Sequence, residues 1–128
     1  MLKRLPVAVS ILSLGMLSGA QAQQRTVLQQ FEVPGSNYVT IVAETELTPN
    51  ELAARHYHPG VEMTYVLDGE GDMSVEGQPV KHVKAGDHWS IPAGVPHFMK
   101  NGAKPMKLLV TFVLEKGKQL AIPAPPPK

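Results

Sequence analysis

The sequence predicts an all-β fold, arranged as a sandwich or a barrel, and a jelly roll would fit it. Helical periodicity is almost absent, and short runs rich in Val, Thr, Tyr and Ile recur along the chain. Clusters of Gly, Pro, Asn and Asp separate these runs at the roughly 8–12-residue spacing typical of all-β domains. Such residues supply the positive or fixed φ angles that a chain needs where it reverses. The 128 residues are enough for one small domain.

Nine strands are predicted from these runs. Each run is bounded by turn residues, as in Pro34-Gly35-Ser36-Asn37 before the second strand and Pro92-Ala93-Gly94 before the eighth. In chain order, the predicted strands are residues 27–33, 38–46, 53–57, 62–67, 72–75, 80–83, 88–91, 97–100 and 106–114. Residues 23–121 are therefore assigned to a single all-β domain.

The end of the chain, residues 122–128, is predicted to be a separate proline-rich tail. Its sequence is IPAPPPK, and three consecutive prolines offer no backbone N–H to a neighbouring strand. The simplest prediction is a short, flexible polyproline II segment that does not continue the sheet.

Residues 1–22 have the features of a secretory signal peptide. Lys3 and Arg4 precede an apolar run over residues 5–17, and Ala20-Gln21-Ala22 matches the small-x-small pattern of a cleavage site. Cleavage after Ala22 and a periplasmic or secreted location are expected. The chain has no cysteine, so disulfides cannot stabilise it. No basic stripe indicates nucleic acid, and no second amphipathic segment indicates a membrane surface after signal removal.

The segment RHYHPGVEMTYV contains a candidate metal site. His56 and His58 are two residues apart and share a strand face, and Glu62 follows after the Pro59-Gly60 turn. If the flanking strands pair as a hairpin, Glu62 faces the two imidazoles across it. Imidazole and carboxylate groups are common ligands of transition metals. This segment alone leaves open whether it binds a metal or is an ordinary polar strand end.

A second segment, GDHWSIPAGVPHFMKN, offers a fourth ligand. It holds Gly86, Pro92 and Gly94 ahead of His97, with Asn101 four residues later. A turn, a strand and a Pro-x-Gly turn would bring His97 beside the first segment.

These two segments together resemble the paired motifs of the cupin family. The first family motif, G-x₅-H-x-H-x₃₋₄-E-x₆-G, is matched by His56, His58, Glu62 and Gly69, and the second motif, G-x₅-P-x-G-x₂-H-x₃-N, is matched throughout. The one departure is Asn50, which stands where the first motif has glycine. Asn tolerates left-handed backbone better than other non-glycine residues, so we expect the turn to persist.

The resemblance implies a conical β-barrel of the jelly-roll type that holds one divalent transition metal ion inside. Its ligands would be His56, His58, Glu62 and His97, and the ion would be Fe, Mn, Zn, Ni or Cu. Glu62 is also the only evident carboxylate able to take a proton, which makes it the candidate catalytic residue. A small molecule would be the ligand or substrate.

Strand parity extends the prediction to the pocket wall. Thr64, Val66 and Met99 should face inward, as should alternate residues of the last strand, either Leu108, Val110 and Phe112 or the opposite set. No arginine is expected inside, because Arg55 should face outward. A dianion such as oxalate normally requires such a partner, so the expected substrate is a small apolar or phenolic molecule.

Several functions fit this site. A metal-dependent enzyme with dioxygenase-like chemistry is the leading hypothesis. The alternatives are a metal-dependent isomerase or lyase, and a non-catalytic periplasmic module that binds metal or a small ligand. A homodimer is expected, in which residues 25–33 add to the sheet of a partner and cover an exposed edge.

Overall fold

Two antiparallel five-stranded sheets face each other in the computed structural model, which describes residues 23–127. The first sheet has the order β1-β2-β9-β4-β7 and the second the order β10-β3-β8-β5-β6. The strands are β1 (Gln24–Glu32), β2 (Tyr38–Leu47), β3 (His56–Tyr57), β4 (Val61–Asp68), β5 (Glu70–Val75), β6 (Lys81–Lys84), β7 (His88–Ile91), β8 (His97–Asn101), β9 (Met106–Glu115) and β10 (Ile122–Pro123).

This architecture is the predicted all-β jelly roll. Within the described range no segment is helical, and accordingly none forms a helix able to cross a bilayer. The predicted signal peptide, residues 1–22, lies outside the described residues.

The core lies between the two sheets, and β9 shows why its sequence forms a half-buried strand. Every second residue of β9 is buried, from Met106 to Leu114, with Phe112 almost completely enclosed. Each such side chain stabilises the fold by roughly 1.5–3 kcal/mol through burial. Of the two alternatives left open for this strand, the inward set is therefore Leu108, Val110 and Phe112.

The alternation predicted for β4 and β8 is also confirmed. Thr64 and Val66 are buried on β4, and Met99 is buried on β8. Met63 and Tyr65 are exposed on the opposite face of β4.

The predicted hairpin between the third and fourth strands is wrong. β3 pairs with β10 and β8, whereas β4 pairs with β7 and β9 in the other sheet. The Pro59-Gly60 segment therefore crosses from one sheet to the other. A Cβ at Gly60 would overlap the carbonyl oxygen of Val113 and the Cβ of Leu114, so the crossing chain lies directly against β9.

The C-terminal prediction is wrong in part, because Ile122 and Pro123 form β10. They pair with Tyr57 and His56 at the edge of the second sheet, where proline is tolerated because one side of an edge strand has no partner. The docking continues beyond the strand: the Ala124 N–H donates to the Arg55 carbonyl at 3.1 Å. The guanidinium of Arg55 in turn donates from Nε to the Pro125 carbonyl at 3.0 Å.

The turn at the motif departure forms as expected. Asn50 has φ of 60°, and among the residues of the structure it is the only non-glycine with positive φ. Its N–H donates to the Gly102 carbonyl at 2.7 Å. Nearby, the buried Asn101 amide donates to the carbonyls of Thr48 and Lys104 at 2.8 and 2.9 Å. These bonds tie the turn before the first motif to the end of the second.

Candidate metal centre

The structure brings all four predicted ligands together between the sheets. His56 and His97 are directly opposite each other on β3 and β8 of the second sheet. His58 follows β3, and Glu62 lies on β4 of the first sheet. His58 and His97 are each 3% exposed and Glu62 6%, while His56 is half-buried at the mouth.

The side chains are close enough to share one ion. The three histidines place one ring nitrogen each within 4.8 Å of the others. Oε2 of Glu62 lies 2.9 Å from Nε2 of His58 and 3.1 Å from Nε2 of His97. The three histidines are thus able to hold a metal ion, and the Glu62 carboxylate faces two of them from the other sheet.

Backbone carbonyls orient all three imidazoles. Nδ1 of His56 lies 2.7 Å from the Ala54 carbonyl oxygen, and Nδ1 of His97 lies 2.9 Å from that of Val95. Nδ1 of His58 lies 2.6 Å from the Leu120 carbonyl oxygen, near the end of the chain.

A carbonyl oxygen can only accept a hydrogen bond, so in each ring Nδ1 carries the proton. The lone pair of each neutral ring is therefore on Nε2, as in histidines that bind metals through Nε2.

The carboxylate is held as an anion. Burial alone would raise the pKa of Glu62, but hydrogen bonds with His58 and His97 and from the Thr64 hydroxyl, at 2.7 Å, together hold that pKa well below its usual range. Thr64 occupies Oε1, so Oε2 remains directed at the imidazoles.

The histidines differ in their proton affinity. Burial lowers the pKa of His56 to about 4, and the charges of the neighbouring imidazoles contribute to this. Burial also lowers the pKa of His97, but the hydrogen bond with Glu62 and the charge of Glu62 outweigh this effect. The pKa of His97 therefore lies above its ordinary value. His56 is consequently neutral at pH 7 and available as a ligand.

These residues fit a divalent transition metal ion. Nε2 of His58 and Nε2 of His97 both point at the same carboxylate oxygen, so each contact is favourable when a cation, either a proton on the nitrogen or a shared metal ion, lies between the two atoms. Neutral imidazoles and one carboxylate form a ligand set that suits Fe, Mn, Zn, Ni and Cu. This set of ligands is not selective for any one of these ions.

A small cavity of about 30 Å³ adjoins the histidines. Its wall is mainly apolar and includes Met73, Met99, Leu108, Val110 and Phe112. Trp89, Thr45 and Arg25 line it as well. Drug-sized ligands occupy pockets of roughly 300–1,000 Å³, so this cavity suits a far smaller molecule.

The presence of Arg25 corrects the expectation that no arginine enters the pocket. β1 begins at Gln24, three residues earlier than predicted, and Arg25 pairs in register with Thr45 of β2. Since Thr45 is buried on the inner face, Arg25 shares that face. Side chains alternate along a strand, so Arg25 lies on the same face as Val27, two residues later. Extending the predicted first strand back from Val27 to Arg25 would therefore have placed both residues on one face.

The remaining histidines lie outside the site. His82 and His88 are both exposed, and Nδ1 of His82 lies 2.8 Å from an Asp72 carboxylate oxygen. Arg55 is also outside, in a 2.8 Å ion pair with Glu76.

Comparison with known proteins decides the family. The model of the family described as Cupin domain matches residues 43–124, more than half of the chain. This chain belongs to the cupin family. The match spans both sheets and contains all four residues of the candidate metal centre.

Curated relatives extend beyond this cupin. Dimethylsulfoniopropionate lyase DddQ of Ruegeria pomeroyi is 36% identical over 57 residues, which are 44% of this chain and 28% of the lyase. An uncharacterized protein of Aquifex aeolicus is 32% identical over 87 residues, which are 67% of this chain and 66% of that protein. The cupin thus spans less than two thirds of the length of each.

Solved structures share the fold. The crystal structure of the R. pomeroyi lyase superimposes with a TM-score of 0.66 at 22% identity, covering 79% of this cupin and 51% of the lyase. A conserved double-stranded beta-helix protein of Klebsiella pneumoniae gives a TM-score of 0.64 at 25% identity, covering 84% and 89%. Oxalate oxidase in complex with the substrate analogue glycolate gives 0.54 at 23% identity, covering 60% and 46%.

Replacement of His97 tests the metal centre. His97→Ala should lower metal affinity by more than about 100-fold. Loss of the hydrogen-bond partner of a ligand already lowers affinity roughly 10–100-fold, and loss of the ligand itself should have a larger effect. Elemental analysis of purified protein measures the metal content. His82→Ala, a matched change at an exposed histidine, should retain the parental content. Equal metal in His97→Ala and the parent would contradict the assignment.

The C-terminal segment should support metal binding through His58. A chain ending at Lys118 lacks the Leu120 carbonyl and β10, so the His58 ring loses its acceptor and its affinity for metal should fall about 10–100-fold. Competition with a chromogenic chelator measures this affinity. A chain ending at Pro125 keeps both features and should bind like the parent. Equal affinity in both truncated chains would show that the segment does not orient the ligand.

Proposed function

We propose that this cupin is an exported, metal-dependent enzyme that acts on a small molecule held in the cavity beside the histidines. The observation that carries the proposal is the convergence of three preoriented imidazoles and one buried carboxylate on the wall of that cavity. A structural metal site is usually closed by protein ligands. An adjoining cavity instead leaves room for a substrate next to the ion.

The proposed metal ligands are His56, His58, Glu62 and His97. A bound divalent ion supplies Lewis acidity and, if it is redox-active, the means to use dioxygen. The Glu62 carboxylate partly neutralises its charge. Among the described residues that line the cavity, Glu62 is the only carboxylate, so it is also the proposed acceptor for a substrate proton. Thr64 holds the other carboxylate oxygen and fixes the direction in which Oε2 points.

Dioxygenase-like chemistry is the leading proposal for the reaction. The apolar wall formed by side chains such as Met99, Leu108 and Val110 excludes water and favours an apolar gas beside the metal centre. A lyase reaction is the second candidate, and the sequence match to dimethylsulfoniopropionate lyase supports it. The expectation of an apolar or phenolic substrate depended on a pocket without arginine, and Arg25 removes that premise.

Turnover distinguishes an enzyme from a binding module. Protein recovered from the periplasm, with an intact mass corresponding to a chain that begins at Gln23, is loaded in turn with Fe, Mn, Zn, Ni or Cu. It is then screened against small carboxylates and phenols for dioxygen uptake and for product formation without dioxygen. At least one metal should support turnover. His97→Ala should abolish this turnover and His82→Ala should retain it, because His97 belongs to the proposed metal centre and His82 does not.

Each outcome of the screen has a definite meaning. Dioxygen uptake supports the leading chemistry, and product formed without dioxygen supports a lyase or isomerase. Ligand binding without turnover by any metal form would contradict the enzyme and favour the non-catalytic module.

A homodimer is part of the proposal. β1 is an edge strand that pairs only with β2 in the described part of the chain, and Val27, Leu28 and Phe31 on it are each about half exposed. An unpaired edge with apolar side chains is suited to pairing with the same edge of a second copy, which produces an isologous interface.

Light scattering coupled to size exclusion at micromolar concentration should give twice the monomer mass. Phe31→Glu should shift the mass to that of a monomer, because it places a charge in the proposed interface. Val80→Glu, a matched change at another exposed apolar residue, should remain dimeric. A monomeric parent protein would contradict the dimer.

A further inference from the structure

Three polar side-chain atoms around the cavity are buried and have no hydrogen-bond partner. They are Nε of Arg25, Oγ1 of Thr45 and Nε1 of Trp89. Over residues 23–127 only one other buried side-chain N or O atom lacks a partner, on Glu51, and that residue lies away from this cavity. Since buried polar groups are nearly always bonded to protein, ordered water or ligand, this concentration marks the cavity as a place where water or a ligand supplies the missing partners.

Strand pairing places these groups on the cavity wall. Arg25 and Thr45 are opposite each other on β1 and β2, and Trp89 on β7 is opposite Thr64 of β4. All three therefore belong to the first sheet, which also carries Glu62.

The Phe112 ring links the arginine to the metal centre. The Arg25 guanidinium carbon lies 5.1 Å from the centroid of the Phe112 ring. The centroid of the His58 ring lies 4.7 Å from the same Phe112 centroid. One short molecule can consequently reach both the guanidinium and the histidines.

The chemistry of these atoms calls for an acceptor. The Nε–H of arginine and the Nε1–H of tryptophan only donate, and the threonine hydroxyl can donate as well. Leaving such donors buried and unpaired destabilises the protein. A ligand that offers several acceptor lone pairs would satisfy all three.

The charge balance calls for an anion. Among residues 23–127, Arg25 forms no salt bridge with any carboxylate. The only carboxylate on the cavity wall, Glu62, is already bonded by His58, His97 and Thr64. Arg25 is half-buried, and Glu62 is the one negative charge that acts on it from the cavity wall. A bound divalent ion would add positive charge that this single carboxylate does not balance.

We propose that the substrate of this cupin is a short-chain carboxylate whose carboxylate group is bound by Arg25, with Thr45 and Trp89 as additional donors. This rests on the proposed function, because it assigns the substrate class of the same site. A carboxylate offers only acceptors, and its planar shape matches the fork of a guanidinium. The cavity of about 30 Å³ restricts the remainder of the molecule to a few atoms.

Two attachment points then set the orientation of the substrate. The carboxylate is anchored at Arg25, and the rest of the molecule extends toward the histidines. Arg25 acts here as a binding residue that selects charge. The expectation that a dianion such as oxalate would find no arginine partner in this pocket loses its premise, because Arg25 lines the cavity.

Calorimetric titration of the metal-loaded protein with propionate tests the proposal, with the neutral isostere propionamide as the comparison ligand. Propionate should bind at least about 10-fold more tightly than propionamide. Arg25→Met should weaken propionate binding about 10–100-fold and leave propionamide unchanged, because the variant removes a charge-assisted bond. Arg25→Lys should recover part of the affinity. Metal content should be equal in all three proteins.

Matched variants keep the test decisive. Lys116→Met removes an exposed cation that pairs with Glu32 of β1, and it should bind propionate like the parent. If Arg25→Met fails to fold, Thr45→Val and Trp89→Phe each remove one donor and should weaken propionate binding several-fold. Unchanged affinity in the folded variants would overturn the proposal, as would sulfate competing as well as propionate.

The result is separable from that of the proposed function. Calorimetry measures binding without turnover. If the protein binds propionate through Arg25 but is inactive with every metal, only the proposal that it is an enzyme is contradicted. If the protein turns over neutral molecules and Arg25→Met does not change that turnover, only the proposal of a carboxylate substrate is contradicted.

Discussion

The orientation of three imidazoles by backbone carbonyls is the constraint on which the rest of this cupin depends. The carbonyls of Ala54, Val95 and Leu120 each hold one Nδ1, so every Nε2 is turned toward the same point. They come from three separate segments of the chain, and none of these segments could orient the site alone. The carboxylate of Glu62 approaches from the opposite sheet and leaves two nitrogen lone pairs facing one oxygen. This arrangement is favourable with a proton or a metal ion between them, so the fold preorganises a site that a metal ion could occupy.

Because the candidate ligands come from both sheets, sheet packing and metal binding would be coupled. Phe112 lies at the centre of this coupling: it is buried in the core, and its ring contacts both the His58 imidazole and the Arg25 guanidinium. Gly60 allows the connection between the sheets to lie against β9, which sets the approach of Glu62 toward His58. Metal bound across the two layers would stabilise both at once, which matters for a small domain that has no disulfide.

The first sheet also carries the features that the fold does not satisfy. Local rules of polar pairing hold almost everywhere in the described chain and fail mainly at Arg25, Thr45 and Trp89 around the cavity. Departures from consistency are expected where function requires them. A cation and two further donors, beside a metal centre in a narrow apolar cavity, together favour a short molecule with one anionic end. Under the proposal, size and charge would provide substrate selectivity that the metal ligands alone would not.

The sequence by itself determined the local properties of this protein: strand parity, the turn at Asn50 and the set of four candidate ligand residues. These follow from a two-residue period and from motif spacing, both of which are readable along the chain. Only the tertiary structure decided that Glu62 faces His58 from the other sheet, that Arg25 enters the cavity, and that Ile122 and Pro123 complete the sheet beside the metal centre. The physical reason is that pairing between strands distant in the chain depends on packing of the whole core, which no local period encodes.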